Sequence, residues 1–248
     1  MTKLSTEQAL TRARIHAKRG EIHEAKQLFE AVLNVFPGNK RARNGLRSLA
    51  KTHVLEASVA PSEKQLTHLI NLYNSGLFSQ AVEEAERLTK SYPNTPTVWN
   101  ILGASAAQLD RMELAISAFR MVLNLEPEAA DSYNNLGTAL IESGNLDEGI
   151  IYLNKALKIK PNFPEAYFNI GNALSDQNLL EEAILSYRQA LEFNPKYADA
   201  YCNLGHALKK QENYNDALEA YKCAVTRNPE HVQAIKNIND IKKLTGDA

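Results

Sequence analysis

Three asparagines spaced 34 residues apart are the residues of this sequence whose chemistry suggests a function. Asn135, Asn169 and Asn203 are the third residues of "YNNLGTAL", "YFNIGNAL" and "YCNLGHAL". An asparagine side chain offers two N–H donors and a carbonyl acceptor, which match the groups of a peptide backbone. It also costs about a few tenths of a kcal/mol of helix propensity relative to alanine or lysine. A recurring asparagine on a helix is therefore a candidate contact for an extended peptide.

The same interval of 34 residues separates a set of prolines. It joins Pro93, Pro127, Pro161, Pro195 and Pro229, and Pro37 lies one interval plus 22 residues before Pro93. Such self-similarity is typical of repeat architectures. Each unit is numbered here from 1 to 34, with this proline at position 32, which gives units 6–39, 62–95, 96–129, 130–163, 164–197 and 198–231.

Two apolar stripes in each unit predict a pair of packed helices. Positions 4, 7, 8 and 11 share one helix face at about 100° per residue. Positions 20, 24 and 27 form the facing stripe, in which small residues oppose large ones. Proline then ends the second helix because it lacks the N–H donor that would continue it. A single pair cannot bury its apolar face alone, so the units must stack into an all-α solenoid.

The pattern resembles the tetratricopeptide repeat family, which implies a right-handed α-solenoid of antiparallel helix pairs. The motif is close in unit 164–197 and in unit 198–231. The matching residues are Tyr167, Ile170, Gly171, Ala183, Tyr187, Ala190 and Pro195, and Tyr201, Leu204, Gly205, Ala217, Tyr221, Ala224 and Pro229. The first two units match less well, with Arg12 and Ala13, or His68 and Leu69, at positions 7 and 8.

The interruptions of the period predict the domain organisation. Residues 1–50 form an N-terminal helical module with one divergent unit, 6–39, and an extra helix from Lys40 to about Leu49. Residues 51–61 form a linker. Five units then occupy 62–231, and 232–248 form a C-terminal capping helix and tail, with lysines on the wet outer face that a cap requires.

Positions 2, 6, 9 and 13 lie opposite the packing stripe of the first helix, and in this family that side lines the concave groove. The resemblance thus implies a peptide-binding groove with polar residues at three of these positions. They are Asn135, Asn169, Asn203 and Asn237 at position 6, Thr138, Asn172 and His206 at position 9, and Asp131, Glu165 and Asp199 at position 2.

The asparagine row is similar to the asparagine ladder of O-linked N-acetylglucosamine transferase repeat regions, which holds extended peptide substrates. It breaks at Ile101, which occupies position 6 of unit 96–129. Two interpretations stay open. The asparagines contact a ligand, or repeat duplication copied them without a function.

The sequence contains no constellation that predicts catalysis, a cofactor or a metal. The six histidines are scattered without metal-ligand spacing, and there is no phosphate loop or nucleophile elbow. Cys202 and Cys223 have no activating base beside them, and their number is compatible with a reducing compartment. We therefore predict a non-enzymatic, cytoplasmic protein without a cofactor and without a membrane-inserted segment.

The leading hypothesis is a scaffold or adaptor that binds an extended peptide or protein segment in the groove. The alternative is a recruiting N-terminal region of a larger or associated bacterial glycosyltransferase, sulfotransferase or hydroxylase. Charge is uneven, because residues 1–51 carry a net +7 and the rest carries −8. Self-association between these parts is a further hypothesis. Nucleic-acid binding has thin support, since no aromatic residues are interleaved with the basic ones.

Overall fold

A computed structural model describes residues 5–18, 22–57 and 60–245, and these segments are all-α, with no strand among them. Their helices are α1 (Thr6–Lys18), α2 (Ile22–Val35), α3 (Lys40–Ala57), α4 (Glu63–Asn74), α5 (Phe78–Ser91), α6 (Pro96–Gln108), α7 (Met112–Leu125), α8 (Ala130–Glu142), α9 (Leu146–Ile159), α10 (Pro164–Asp176), α11 (Leu180–Phe193), α12 (Ala198–Lys210), α13 (Tyr214–Arg227) and α14 (Val232–Thr245).

The chain divides into two compact units. The first comprises residues 1–65 and 87–95, and the second comprises residues 66–86 and 96–248. In the first unit, α1, α2 and α3 pack against one another. Their core includes Leu10, Ala13 and Phe29, which are almost completely buried.

The extra helix of the N-terminal module is longer than the sequence pattern predicted. We expected it to end near Leu49 and to be followed by a linker over 51–61, but α3 continues to Ala57. The segment "AKTHVLEA" contains neither glycine nor proline, so nothing in it stops a helix. The first such breaker is Pro61. Residues 58–59 of the expected linker lie outside the described residues, as does Gly20 of the first unit.

In the second unit, consecutive helix pairs stack as a solenoid. The pairs α6 with α7, α8 with α9, α10 with α11 and α12 with α13 each pack together. Each second helix then packs on the first helix of the next pair, and α13 packs on α14. The first helices α6, α8, α10 and α12 also contact their neighbours, so they form one layer. This layer positions the candidate site.

Small residues at positions 8 and 20 allow the two helices of a pair to approach closely. A Cβ atom added to Gly171 would lie 2.6 Å from the Tyr187 ring. In unit 130–163, both positions are glycine, and a Cβ atom on Gly137 would lie 2.9 Å from the Gly149 carbonyl oxygen. Distances below about 3 Å are steric overlaps, so only glycine fits at these contacts. The predicted packing of small against large residues is confirmed here.

Position 15 adopts the left-handed backbone conformation that ends the first helix. The residues are Gly76, Asp110, Gly144, Asn178 and Glu212, with φ between 58° and 87°. The first four are of the types that tolerate this conformation. Glu212 is not, which shows that the turn geometry overrides the preference of the residue.

Candidate functional site

The candidate site is the surface that we call the ladder face. It consists of positions 6 and 9 of the first helices, namely Asn135 and Thr138 on α8, Asn169 and Asn172 on α10, Asn203 and His206 on α12, and Asn237 on α14. All of these side chains are half-buried except Asn237, which is buried.

Within the ladder face, three of the four asparagines of position 6 (Asn169, Asn203 and Asn237) place their amide nitrogen within hydrogen-bond distance of position 9 of the preceding unit. Asn169 Nδ2 donates to Thr138 Oγ1 at 2.9 Å. Asn203 Nδ2 donates to Asn172 Oδ1 at 2.8 Å. These bonds join α8 to α10 and α10 to α12. These asparagines therefore hold consecutive units together. This structural role is a third interpretation, in addition to ligand contact and duplication without a function.

We call each asparagine of position 6, together with the position 9 residue of the preceding unit, a rung. The last rung, at Asn237, has a histidine as the acceptor. Asn237 Nδ2 lies 3.0 Å from His206 Nε2, and the bond requires an unprotonated Nε2. Burial lowers the pKa of His206, and Lys209, Lys210 and His231 lower it further by charge repulsion. Lys209 Nζ also donates to Asn237 Oδ1 at 3.2 Å. These contacts tie α14 to α12.

Asn135 differs from the other rungs because the preceding position 9 is Ala104, which offers no acceptor. Among the described residues, the Asn135 amide nitrogen has no hydrogen-bond partner, and Oδ1 accepts only a long bond of 3.4 Å from Asn134. One unit earlier, both members of the pair are apolar, because position 6 is Ile101 and the preceding position 9 is Ile70. The donor groups of Asn135 are thus available to a ligand.

The carbonyl oxygens of two other rungs are also available. The side-chain oxygens of Asn169 and Asn203 accept no hydrogen bond from the described residues, although their amide nitrogens are engaged. The ladder face therefore presents acceptors at α10 and α12 and donors at α8. An extended peptide backbone carries both complementary groups.

A central cavity of about 520 Å³ opens on the ladder face, and its lining extends from Tyr73 of α4 to Tyr197, the residue before α12. Asn135, Thr138 and Asn169 line it together with the carboxylates of Glu142 and Glu165, and no lysine or arginine is among its lining residues. Burial raises the pKa of Glu142, and the nearby Asp110 raises it further. This part of the face is acidic.

A C-terminal cavity of about 700 Å³ lies between α10, α12 and α14. Asn172, Asn203, His206 and Asn237 line it, and its charged residues are Asp176, Lys209 and Lys210. Two lysines against one aspartate make this cavity basic. The two cavities therefore differ in the sign of their charge.

Two of the predicted residues, Asp131 and Asp199, contact a basic side chain and line neither cavity. Asp131 lies 3.5 Å from Lys160 Nζ, and Asp199 lies 3.1 Å from His231 Nε2. Conversely, four charged residues of the cavities were missing from the predicted set, namely Glu142, Asp176 and Lys210 at position 13 and Lys209 at position 12. Position 13 shares the predicted groove side, so the helical pattern could have identified three of them.

The described residues contain no group of three or more His, Cys, Asp or Glu that could hold a metal ion. Cys202 is buried, and burial raises the pKa of its thiol to about 11, with a further contribution from Asp199. No helix in residues 5–18, 22–57 and 60–245 is long and apolar enough to cross a membrane.

Family models of the tetratricopeptide repeat match most of the second unit. One TPR repeat model matches residues 137–178 and 171–212, and two tetratricopeptide repeat models match residues 198–231 and 66–126. No curated protein sequence matches the chain significantly.

Several solved structures share the fold. YrrB, described as a TPR protein with an unusual peptide-binding site, has 22% identity and a TM-score of 0.56, and the match covers 75% of this chain and 95% of YrrB. PilW, a type IV pilus biogenesis factor, has 22% identity and a TM-score of 0.68, with 75% and 87% covered. A chain of the APC/C assembly Cut9–Hcn1 has 19% identity and a TM-score of 0.67, with 98% and 50% covered. Identities this low establish the fold alone.

Proposed function

The chain belongs to the tetratricopeptide repeat family, and from this premise we propose that it is a non-enzymatic scaffold that binds an extended segment of a partner protein along the ladder face. The observation that carries the proposal is a row of asparagine side chains beside two cavities, each with a donor or acceptor that no described residue occupies. Asn135 offers donors, and Asn169 and Asn203 offer acceptors. YrrB, which has a similar fold, is described as having a peptide-binding site, and this favours the same use here.

The ladder face would bind the backbone of the ligand, and the cavities would select its side chains. Stacked helices lie about 8–10 Å apart, and an extended peptide advances about 3.3 Å per residue, so one rung meets roughly every third residue. The acidic central cavity favours a lysine or arginine of the ligand. The basic C-terminal cavity favours an aspartate or glutamate. A ligand with both charges binds in one direction.

The proposal is tested by selecting random peptides displayed on phage against the immobilised full chain. We expect the selected peptides to carry basic residues toward one end and acidic residues toward the other. The affinity of one selected peptide is then measured by fluorescence anisotropy for the wild type and for Asn135→Ala. Loss of a hydrogen bond worth about 0.5–1.5 kcal/mol predicts a weakening of about two- to tenfold.

Asn135 is the informative position because its side chain forms no bond to another unit, so its removal leaves the fold stable. The matched control is Asn154→Ala, since Asn154 is an exposed asparagine of α9 that lies outside the ladder face. The proposal is wrong if no peptide is selected, or if the two variants bind the peptide equally well.

A further inference from the structure

We infer that the turn between α2 and α3 is a docking surface for an anionic lipid membrane. The turn brings two exposed apolar side chains, Val35 and Phe36, next to Lys40, Arg41 and Arg43 on the first turn of α3. This surface belongs to the first unit, whereas the ladder face belongs to the second. We call it the basic turn.

The charges of the basic turn oppose the local helix dipole. Lys40, Arg41 and Arg43 lie at the N-terminal end of α3, where the partial charge of the helix is already positive, and no acidic residue is present in that turn. The helices α8 to α13 instead carry aspartate or glutamate in their first turns. A placement of cations that disfavours the helix is typical of residues retained for a function.

The charges of the basic turn are only partly neutralised within the chain. Arg41 Nη1 pairs with Glu7 Oε1 at 2.7 Å, and both side chains are exposed. Arg43 Nη2 donates to the Pro37 carbonyl oxygen at 2.8 Å, which holds this guanidinium beside the apolar pair. A carbonyl contact leaves the positive charge in place. The basic turn thus keeps its attraction for anions.

Val35 is more exposed than its counterpart in unit 164–197, Phe193, which is 37% exposed and is partly covered by a ring of its own unit. Val35 occupies position 30 and is 68% exposed, and Phe36 is 50% exposed. In unit 164–197, the residue at position 30, Phe193, stacks on Tyr167 of position 4 with ring centroids 5.7 Å apart. The residue at position 4 of the first unit is Ala9, which is too small to provide such a contact.

The combination of cations and apolar side chains favours a lipid surface over other anions. Phosphate groups of nucleic acid would use the cations, but they would leave Val35 and Phe36 in water. A membrane interface binds both, since apolar side chains enter the acyl boundary and basic side chains contact anionic headgroups. The net charge of +7 over residues 1–51 adds a longer-range attraction to the same surface.

The test is co-sedimentation of the full chain with vesicles of phosphatidylcholine, with or without phosphatidylserine. We expect binding to the vesicles that contain phosphatidylserine and little binding to pure phosphatidylcholine. Each basic residue near an anionic surface strengthens binding about fivefold, so the double variant Lys40→Glu with Arg43→Glu should weaken it more than tenfold. Val35→Ser with Phe36→Ser should also weaken it severalfold.

Matched controls change the same chemistry elsewhere on the chain. Lys196→Glu with Lys222→Glu makes the same change of net charge at exposed positions, and Ile151→Ser with Leu185→Ser removes two exposed apolar side chains. Both controls should bind like the wild type. Absence of binding to anionic vesicles, or equal losses in the controls, overturns the inference. Full displacement by poly-L-glutamate, with no effect of Val35→Ser and Phe36→Ser, would overturn it in favour of an acidic protein partner.

Discussion

Units 164–197 and 198–231 share their tyrosine, glycine and alanine packing residues but differ at one position of the ladder face. Position 9 is Asn172 in the first and His206 in the second. Asn172 Oδ1 accepts two hydrogen bonds, one from Tyr187 Oη at 2.9 Å and one from the next unit at 2.8 Å. His206 Nε2 accepts one bond, and Tyr221 Oη is buried without a partner among the described residues.

The two units differ because the acceptor atom at position 9 has a different number of lone pairs. An amide oxygen has two and serves both the tyrosine of its own unit and the asparagine of the next. An imidazole nitrogen has one, which Asn237 occupies. Tyr221 instead contacts the His206 ring edge to face, with centroids 5.4 Å apart. Units that look equivalent in sequence therefore differ in how completely their polar groups are satisfied.

The largest expected effect comes from removal of the double acceptor. Asn172→Ala leaves Tyr187 Oη and the Asn203 amide without their partner, and we expect a loss of about 2 kcal/mol in the free energy of unfolding. Urea-induced unfolding followed by circular dichroism measures this loss. Asn239→Ala, at an exposed position of α14, controls for the gain in helix propensity. Equal stability of the two variants would contradict the role of Asn172.

Removal of each tyrosine hydroxyl tests the comparison directly. Tyr187→Phe loses a hydrogen bond and should lower the free energy of unfolding by about 1 kcal/mol. Tyr221→Phe removes a buried hydroxyl without a partner, so stability should stay the same or increase. The urea concentrations at the unfolding midpoints of the two variants are compared, and each variant serves as the control of the other. Similar losses would show that the Tyr221 hydroxyl is also bonded.

The smallest expected effect is a dependence of stability on pH that protonation of His206 causes. The folded state lowers the pKa of His206 below its ordinary value of 6.5, so the unfolded chain binds a proton more readily. Stability is full above pH 6.5 and decreases as the pH falls toward the lowered pKa. His206→Asn should reduce this decrease and should also provide an acceptor for Tyr221.

Thermal denaturation of the wild type and His206→Asn above and below pH 6.5 measures the effect. Cys223→Ser, a change that introduces no group titrating in this range, is the control and should keep the acid sensitivity of the wild type. If His206→Asn is as sensitive to acid as the wild type, the rung does not titrate as described.

The sequence was sufficient to predict the helix pairs because their signals are local and repeated. Gly171 and Ala183 mark close contacts at a fixed spacing, and the structure confirms the contact at Gly171. The end of α3 was predicted too early because the residues after Leu49 belong to no repeat, and only helix propensity bears on them. The proper stop signal there is Pro61, beyond Ala57.

The hydrogen bonds of the ladder face could not be predicted because each depends on two positions in different units. Position 6 alone predicts a surface asparagine, and only stacking shows that Asn169 reaches Thr138. The same knowledge explains the break in the row, since position 6 is Ile101 where the preceding position 9 is Ile70. Asn135 is the exception, because the preceding position 9 is Ala104. The correlation between position 6 and the preceding position 9 was present in the sequence, but no helical wheel of a single unit contains it.

Each of these bonds runs from an asparagine to the preceding unit, and this has a consequence for how such an array changes in length during evolution. Loss of residues 164–197 as one block would place Asn203 after Thr138, which still carries an acceptor. Tandem duplication of the same block would place the second copy of Asn169 after Asn172, again with an acceptor. Whole units from Asn169 onward are therefore interchangeable modules, whereas the unit that contains Ala104 cannot precede an asparagine without leaving it unsatisfied. Gene duplication and deletion can thus alter the number of units in the C-terminal half while preserving every junction.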